Sequence, residues 1–295
     1  MRIFLAGATG VIGRQVVPLL LEGGHQVIGL TRRPDDAEAL RRQGAEAVVA
    51  DVYDAGALTR AMADARPSVV MHQLTDLGSR DLQANADIRR RGTRNLVDAA
   101  LAAGATRIIA QSISWAYEPG EKPATSRALL PSPAVEETPL DLDSTGSRLA
   151  TVRAVAQVEA TVAELPEWVV LRYGMLYGPG TWYAKGALMD DLLRSGDLVP
   201  SRDITSFLHV EDAAAAAVQA LDWPTGPVNI VDDEPAAGTE WVPAFAAAIG
   251  APVPEVEAAD AADRQGWARG ADNRYARTEL GWSPRYPSWR TGFGN

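Results

Sequence analysis

Three hydroxyl groups, Ser112, Ser114 and Tyr173, stand at the downstream ends of two strand-like runs, TRIIAQSIS and WVVLRYG. A hydroxyl so placed can give a proton to the oxygen of a small organic substrate, or take one from it. These three are the candidate catalytic residues. Around them are groups suited to holding a substrate: His72 in VVMHQLT, Tyr117, Tyr177, and Trp182, Tyr183 and Lys185 in the loop GPGTWYAKG. Each has a plainer reading. His72 fits a packed strand histidine, the aromatic rings fit the walls of an apolar pocket, and Lys185 fits a solvated loop. The chain has no cysteine, which excludes disulfides, thiolate catalysis and cysteine metal sites. Its three histidines show no paired spacing, so no metal is expected.

The elements that must position these groups alternate. MRIFLAG reads as strand, VIGRQVVPLLLEGG as helix, HQVIGLTR as strand, DDAEALRRQG as helix and AEAVVADV as strand. GALTRAMADA (helix), SVVMHQLT (strand), a long helix over 81–103 and TRIIAQSIS (strand) follow. Helices of this length between strands predict an α/β fold with a doubly wound parallel sheet. Ligands of such sheets bind outside the carboxyl ends of the strands, where the three hydroxyls lie. Residues 118–148 break the rhythm with a Pro-, Ser- and Thr-rich loop, long enough to read as a lid or binding loop. The helix TVRAVAQVE then carries no group on its apolar face that exchanges protons readily. In SFLHVEDAAAA, His209 is expected to tie strand to helix and Asp212 to cap that helix.

The segment GATGVIG, Gly7 to Gly13, lies between the first strand and the first helix. There the first glycine permits a tight turn, Gly10 a close approach of backbone to pyrophosphate, and Gly13 close packing of helix on strand. The helix N-terminus then receives the phosphates. This predicts a dinucleotide site built from Gly7, Thr9, Gly10, Val11, Ile12 and Gly13. The second strand ends in Thr31, Arg32 and Arg33, where an acidic residue would bind the ribose hydroxyls of NAD. Arginine there suits a 2′-phosphate, so NADP is expected over NAD. Asp51 and Val52 end the third strand beside the expected adenine, although Asp51 also fits a helix cap. Leu74, Thr75 and Met175, at later strand ends, complete the cofactor set.

The net charge of −10 argues against nucleic acid as a partner. No apolar run reaches membrane-spanning length and the start does not read as a signal peptide, so a cytoplasmic protein without membrane association is expected.

In order, GATGVIG, ADVYD, RRRGTRNLVDAA, QSISWAY and RYGMLYGPG give a pattern that resembles the extended and atypical short-chain dehydrogenase/reductases, the NAD-dependent epimerase/dehydratase group. The similarity runs through about the first 220 residues. VNIVDDEP and ELGWSPRYPSWRTGF are similar to an atypical subgroup of NAD(P)-dependent oxidoreductases. The resemblance implies a Rossmann domain over 1–173 that also receives 206–232, and a small α+β substrate-binding part from 174–205 and 233–295. It also implies a homodimer through helices 81–103 and 149–164. Family members carry Tyr-x-x-x-Lys on the second of these helices. The Tyr moves the substrate proton, while the Lys holds the nicotinamide ribose and lowers the Tyr pKa. A Glu follows one turn later, and anchoring on Glu159 puts Thr151 at the Tyr place and Val155 at the Lys place. The only lysines are Lys122 and Lys185, preceded at four residues by Glu118 and Thr181, so the pair exists nowhere in the chain. Arg91 stands where an Asn often precedes Gly-Thr, and near Met175 an expected Asn is also replaced. Either Ser112 or Ser114 fits the family's substrate-facing hydroxyl.

These features predict an NADP-dependent oxidoreductase acting on a small, cyclic or aromatic metabolite with a non-standard proton donor. A non-redox isomerase, cyclase or dehydratase on the same scaffold is the first alternative, and an NADP-sensing regulator the second.

Overall fold

The structure is a computed structural model and describes residues 1–78, 80–120, 132–254 and 264–294. The part of the expected lid over 121–131 therefore lies outside the described residues. The first elements are β1 (Arg2–Ala6), α1 (Gly13–Glu22), β2 (Gln26–Thr31), α2 (Pro34–Arg42), β3 (Glu46–Val49), α3 (Ala55–Ala65) and β4 (Val69–His72). Then come α4 (Leu82–Asp87), a π-turn (Ile88–Gly92), α5 (Thr93–Ala102), β5 (Arg107–Ile113), α6 (Gly146–Val162) and β6 (Glu167–Tyr173). The remainder is β7 (Met175–Tyr177), α7 (Leu188–Ser195), β8 (Ile204–Thr205), β9 (Phe207–His209), α8 (Val210–Gln219), β10 (Gly226–Ile230), β11 (Ala236–Ala237), α9 (Gly238–Ile249), α10 (Arg274–Thr278) and α11 (Trp289–Gly292).

The seven-stranded sheet has the order β10-β6-β5-β4-β1-β2-β3, and β3, β2, β1, β4 and β5 pair in parallel. Strands buried on both faces need unbroken apolar runs, which explains RIFLA in β1 and VVM in β4. Contacts divide the chain into two units. The first is 1–112, 142–171 and 214–227; the second is 113–141, 172–213 and 228–295. Residues 113–141 thus fall in the second unit rather than in the Rossmann part, where the sequence reading put them.

In the first unit, Phe4, Ala6, Ile28, Val70 and Ile108 of the strands pack against Leu96, Val97, Val158 and Val162 of α5 and α6. The expected long helix over 81–103 is interrupted by the π-turn, a device common at functional sites. Gly92 is closely packed in that turn, since a Cβ there would meet the Ile88 side chain at 3.1 Å and that of Val52 at 3.3 Å. The cap of α3 is Asp54, whose carboxylate accepts from Ala57 N at 2.9 Å, and not Asp51, which accepts from Tyr53 N. The reason is position: Asp54 immediately precedes the first helical residue.

The second unit holds an aromatic core. Phe207 packs edge-on against Tyr183, Trp241 and Phe293 with ring centroids 5.2 to 5.3 Å apart. Such pairs are worth about 0.5–1.5 kcal/mol each beyond their buried area. Asp212 does not cap α8. Its carboxylate accepts from Arg285 N at 2.7 Å and Tyr286 N at 3.0 Å, anchoring the tail. His209 does tie β9 to α8, accepting from Glu211 N at Nδ1. Residues from the described end of the 118–148 loop are bound in this unit by the bridges Tyr117–Leu140 and Ala134–Ala271.

Candidate functional site

The glycine loop follows β1. Gly7 has φ +93°, and a Cβ there would lie 2.5 Å from the Gln73 carbonyl oxygen. At Gly13 a Cβ would sit 2.1 Å from the Gly7 carbonyl oxygen, so no side chain fits. Gly10 N donates to Gly7 O at 3.0 Å and closes the turn. Ile12 leads into α1 with no side-chain cap on the helix N-terminus. A cradle of bare backbone at an uncapped helix N-terminus is what a pyrophosphate requires, so these residues fit a dinucleotide. Val11 is exposed beside it, while Thr9 carries the carbonyl that accepts from Arg14 Nε at 2.8 Å.

At the end of β2, Arg33 is paired with Asp36 at 2.7 Å, and Thr31 Oγ1 accepts from Arg33 N. Arg32 is exposed and makes no ion pair or hydrogen bond among the described residues. Val52 is buried, its carbonyl accepting from Asn95 Nδ2 at 2.9 Å. Leu74 and Thr75 are half-buried just past β4.

His72 is 1% exposed. Leu74 N donates to its Nδ1 at 3.3 Å, so the proton sits on Nε2, which meets Thr93 Oγ1 at 2.7 Å. Burial, with a smaller contribution from the charge of Arg89, brings its pKa down to about 4. The ring is therefore neutral and both nitrogens are used internally, and its contact with Leu74 fixes the β4 end.

The three hydroxyls part company. Ser112 Oγ donates to Glu159 Oε1 at 2.7 Å, linking β5 to α6. Tyr173, 3% exposed, directs its OH at the Ala213 carbonyl at 3.4 Å. Ser114 lies one residue past the end of β5, and its N–H donates to Tyr173 O at 2.9 Å. Ser114 lines a cavity of about 320 Å³ whose lining lies wholly within the second unit, and Ser112 and Tyr173 are not in that lining. On α6, Val155 is buried and Thr151 Oγ1 returns to the Ser147 carbonyl at 3.3 Å.

Tyr117, Met175 and Tyr183 line the same cavity, together with Trp115, Trp241, Trp267, Met189, Leu198 and Asp203. Tyr117 accepts from Arg172 Nη1 at 2.9 Å and donates to Asn229 Oδ1, so its hydroxyl is held from both sides. The neighbouring Glu136 accepts from Asn229 N at 2.8 Å, and burial raises its pKa. Burial also raises the Tyr183 phenol, whose ring stacks on Phe293 at 6.0 Å between centroids. Tyr177 is fully buried outside the cavity lining, against His209 and Phe293. Trp182 is half-buried and Lys185 exposed, and neither lines the cavity.

The profile of the NAD dependent epimerase/dehydratase family matches residues 3–231. The chain belongs to this family. The fold of this epimerase/dehydratase member is the one its motifs imply, and it is an enzyme of the NAD(P)-dependent oxidoreductase or epimerase/dehydratase kind. It is 44% identical over 315 residues to a 3-diazoavenalumate denitrifying reductase of a Streptomyces species, covering 100% of this chain and 99% of that one. It is 28% identical over 219 residues to a ceramide reductase of Caulobacter vibrioides, covering 73% of this chain and 59% of that one. Among solved structures, the Bordetella bronchiseptica enzyme WbmG in complex with NAD and UDP shares the fold. Its TM-score is 0.74 at 23% identity, over 100% of this chain and 92% of that one. No helix among the described residues is long and apolar enough to cross a membrane.

The motif reading did not find Trp115, Trp241, Trp267 or Asp203. Each comes from a different segment, and no spacing rule brings them together. Glu159 was read only as an alignment anchor, and its bond to Ser112 gives it a structural partner.

Proposed function

We propose that this enzyme is an NAD(P)H-dependent reductase that removes a diazo group from a small aromatic substrate as dinitrogen. The observation that carries this reading is the loss of the acid–base pair, with Thr151 and Val155 at its places, in a chain that keeps the dinucleotide cradle. Reducing a carbonyl demands a proton on oxygen. Reducing a diazonium does not: Ar–N2+ + NAD(P)H → Ar–H + N2 + NAD(P)+, balanced with no proton taken up. The relative named as a denitrifying reductase supports the same reading across the whole chain.

When bound, the nicotinamide supplies the hydride. This chain's residues do the rest. Gly7, Gly10 and Gly13 hold the pyrophosphate at the start of α1, Asp51 and Val52 flank the adenine, and Leu74 and Thr75 border the cofactor past β4. Arg32, with no partner among the described residues, takes a 2′-phosphate, which favours NADP over NAD. Ser114, Met175, Tyr117 and Tyr183 shape the substrate cavity. Its aromatic walls serve a second purpose, since a diazonium reached by water loses nitrogen to give a phenol, and a dry pocket suppresses that side reaction. Ser112 and His72 act as positioning residues through Glu159 and Leu74. The account expects that an arenediazonium labelled with 15N releases labelled dinitrogen in a 1:1 ratio to NAD(P)H oxidised, above the rate without enzyme. Dinitrogen release that does not depend on NAD(P)H, or phenol as the sole product, would refute it.

A further inference from the structure

The cavity of the second unit has an uneven inventory. Five aromatic residues line it, Trp115, Tyr117, Tyr183, Trp241 and Trp267, together with Asp203, and among the described residues the lining contains no Lys, Arg or His. Trp115 and Trp267 stand as a tilted pair, ring centroids 6.3 Å apart and planes at 48°. Asp203 spends Oδ1 on Gln265 N at 2.7 Å, and its Oδ2 makes no hydrogen bond among the described residues. Arg172 lies over the Tyr117 ring, 4.9 Å from its centroid, and is held by the Tyr117 hydroxyl, while Arg264 and Arg269 donate to backbone carbonyls. Arg264 Nη1 donates to the carbonyls of Gln265, Gly266 and Ala268, and Arg269 Nε donates to Ser132 O at 2.8 Å. An indole face attracts a cation through its quadrupole, more strongly once the cation has left water, and a carboxylate at the same wall adds to that attraction. An anionic or neutral aromatic gains neither.

We propose that this cavity is a cation site, in which the indoles of Trp115, Trp241 and Trp267 and the carboxylate of Asp203 recognise the positive charge of a bound arenediazonium. The inference rests on the reductase reading for the identity of its ligand, and makes Asp203 a specificity-determining residue. The cavity then selects the charged, leaving-group end of the substrate, and a substrate's acidic substituent finds no ion partner within the lining.

The test uses inert probes on the full-length protein. Binding of 4-hydroxyphenyltrimethylammonium is compared by calorimetry with that of 4-tert-butylphenol, which has the same shape and no charge, and of 4-hydroxycinnamate. The cation is expected to bind at least about tenfold tighter than either. Asp203→Asn, which keeps the acceptor for Gln265 N, should cut cation binding about tenfold and leave 4-tert-butylphenol unchanged. Trp267→Leu should likewise lower the cation preference, so the result does not hang on one variant folding. Equal affinity for cation and neutral probe, or tighter binding of the cinnamate, would overturn the inference. Dinitrogen release reads the reductase activity separately. Nitrogen release without cation preference sinks the cation site alone, and cation preference without nitrogen release supports the cation site while sinking the reductase reading.

Discussion

The two units of this enzyme relate to their family in opposite ways. The first keeps the backbone that a dinucleotide needs: Gly7, Gly10 and Gly13 stand where no side chain fits or where the turn must close. Within the same unit, Val155 is buried and Ser112 is tied to Glu159. The second unit holds a cavity assembled from tryptophans and a carboxylate that no family motif describes. A binding site for a cofactor is constrained by one invariant molecule and stays readable. A binding site for a substrate follows that substrate. On the proposed reading, the scaffold has kept its reductant and changed what is reduced.

Substitutions can break or sharpen that contrast. The largest effect is expected in the cradle. Gly13→Ala places a methyl against the Gly7 carbonyl, and dinucleotide affinity should fall at least about 100-fold, equivalent to nearly 3 kcal/mol, by fluorescence titration. Binding of an aromatic cation in the second unit should be little changed. If both sites fail together in a folded variant, the two regions are not as separable as proposed. A smaller effect is expected at the ribose end. Arg32→Ala should raise the KM for NADPH about tenfold and leave that for NADH unchanged, since only the 2′-phosphate loses a charged partner.

Burial pushes the Asp232 carboxyl up to about 8, although it accepts from Trp289 N at 3.0 Å and from Glu234 N. The folded state thus binds a proton more tightly than the unfolded chain. This contribution to stability is complete below the ordinary carboxylate pKa and is lost as pH rises through about 8. Melting should therefore fall by about 2–4 °C for each kcal/mol lost between pH 6 and pH 9. Asp232→Asn should flatten that decline, and an unchanged slope in this variant would remove Asp232 as the cause.

The smallest effect is expected at the helix that carries acid–base chemistry in relatives. Among the described residues the Thr151 hydroxyl bonds only to the Ser147 carbonyl one turn back, so Thr151→Val should leave kcat within about twofold. A collapse of kcat with the fold intact would restore chemistry to α6.

How much of this was legible in the sequence follows from the same contrast. The sheet, the glycine loop and the missing Tyr-x-x-x-Lys were readable because each is local: a period, a turn or a spacing along one helix. Two strand-end serines were readable as a pair but not in their separate roles. β5 ends at Ile113, so the alternation of faces that would relate Ser112 to Ser114 stops between them. The π-turn in the long helix left no compositional mark beyond Gly92. Asp54 displaced Asp51 as the cap because a few residues decide where a helix starts. The cavity was illegible since Trp115, Asp203, Trp241 and Trp267 meet through packing of the second unit, and sequence separation hides such contacts.

The central claim is that hydride replaces dinitrogen at carbon without a protein acid. It is tested most directly by tracing the hydrogen that enters the product. With NAD(P)H deuterated at the transferred position of C4, in ordinary water, the account predicts one deuterium at the carbon that lost nitrogen. The converse experiment, unlabelled NAD(P)H in deuterium oxide, should leave that position unlabelled. Hydrogen arriving at that carbon from solvent would contradict the account, because the proposed step delivers hydride to carbon and takes up no proton.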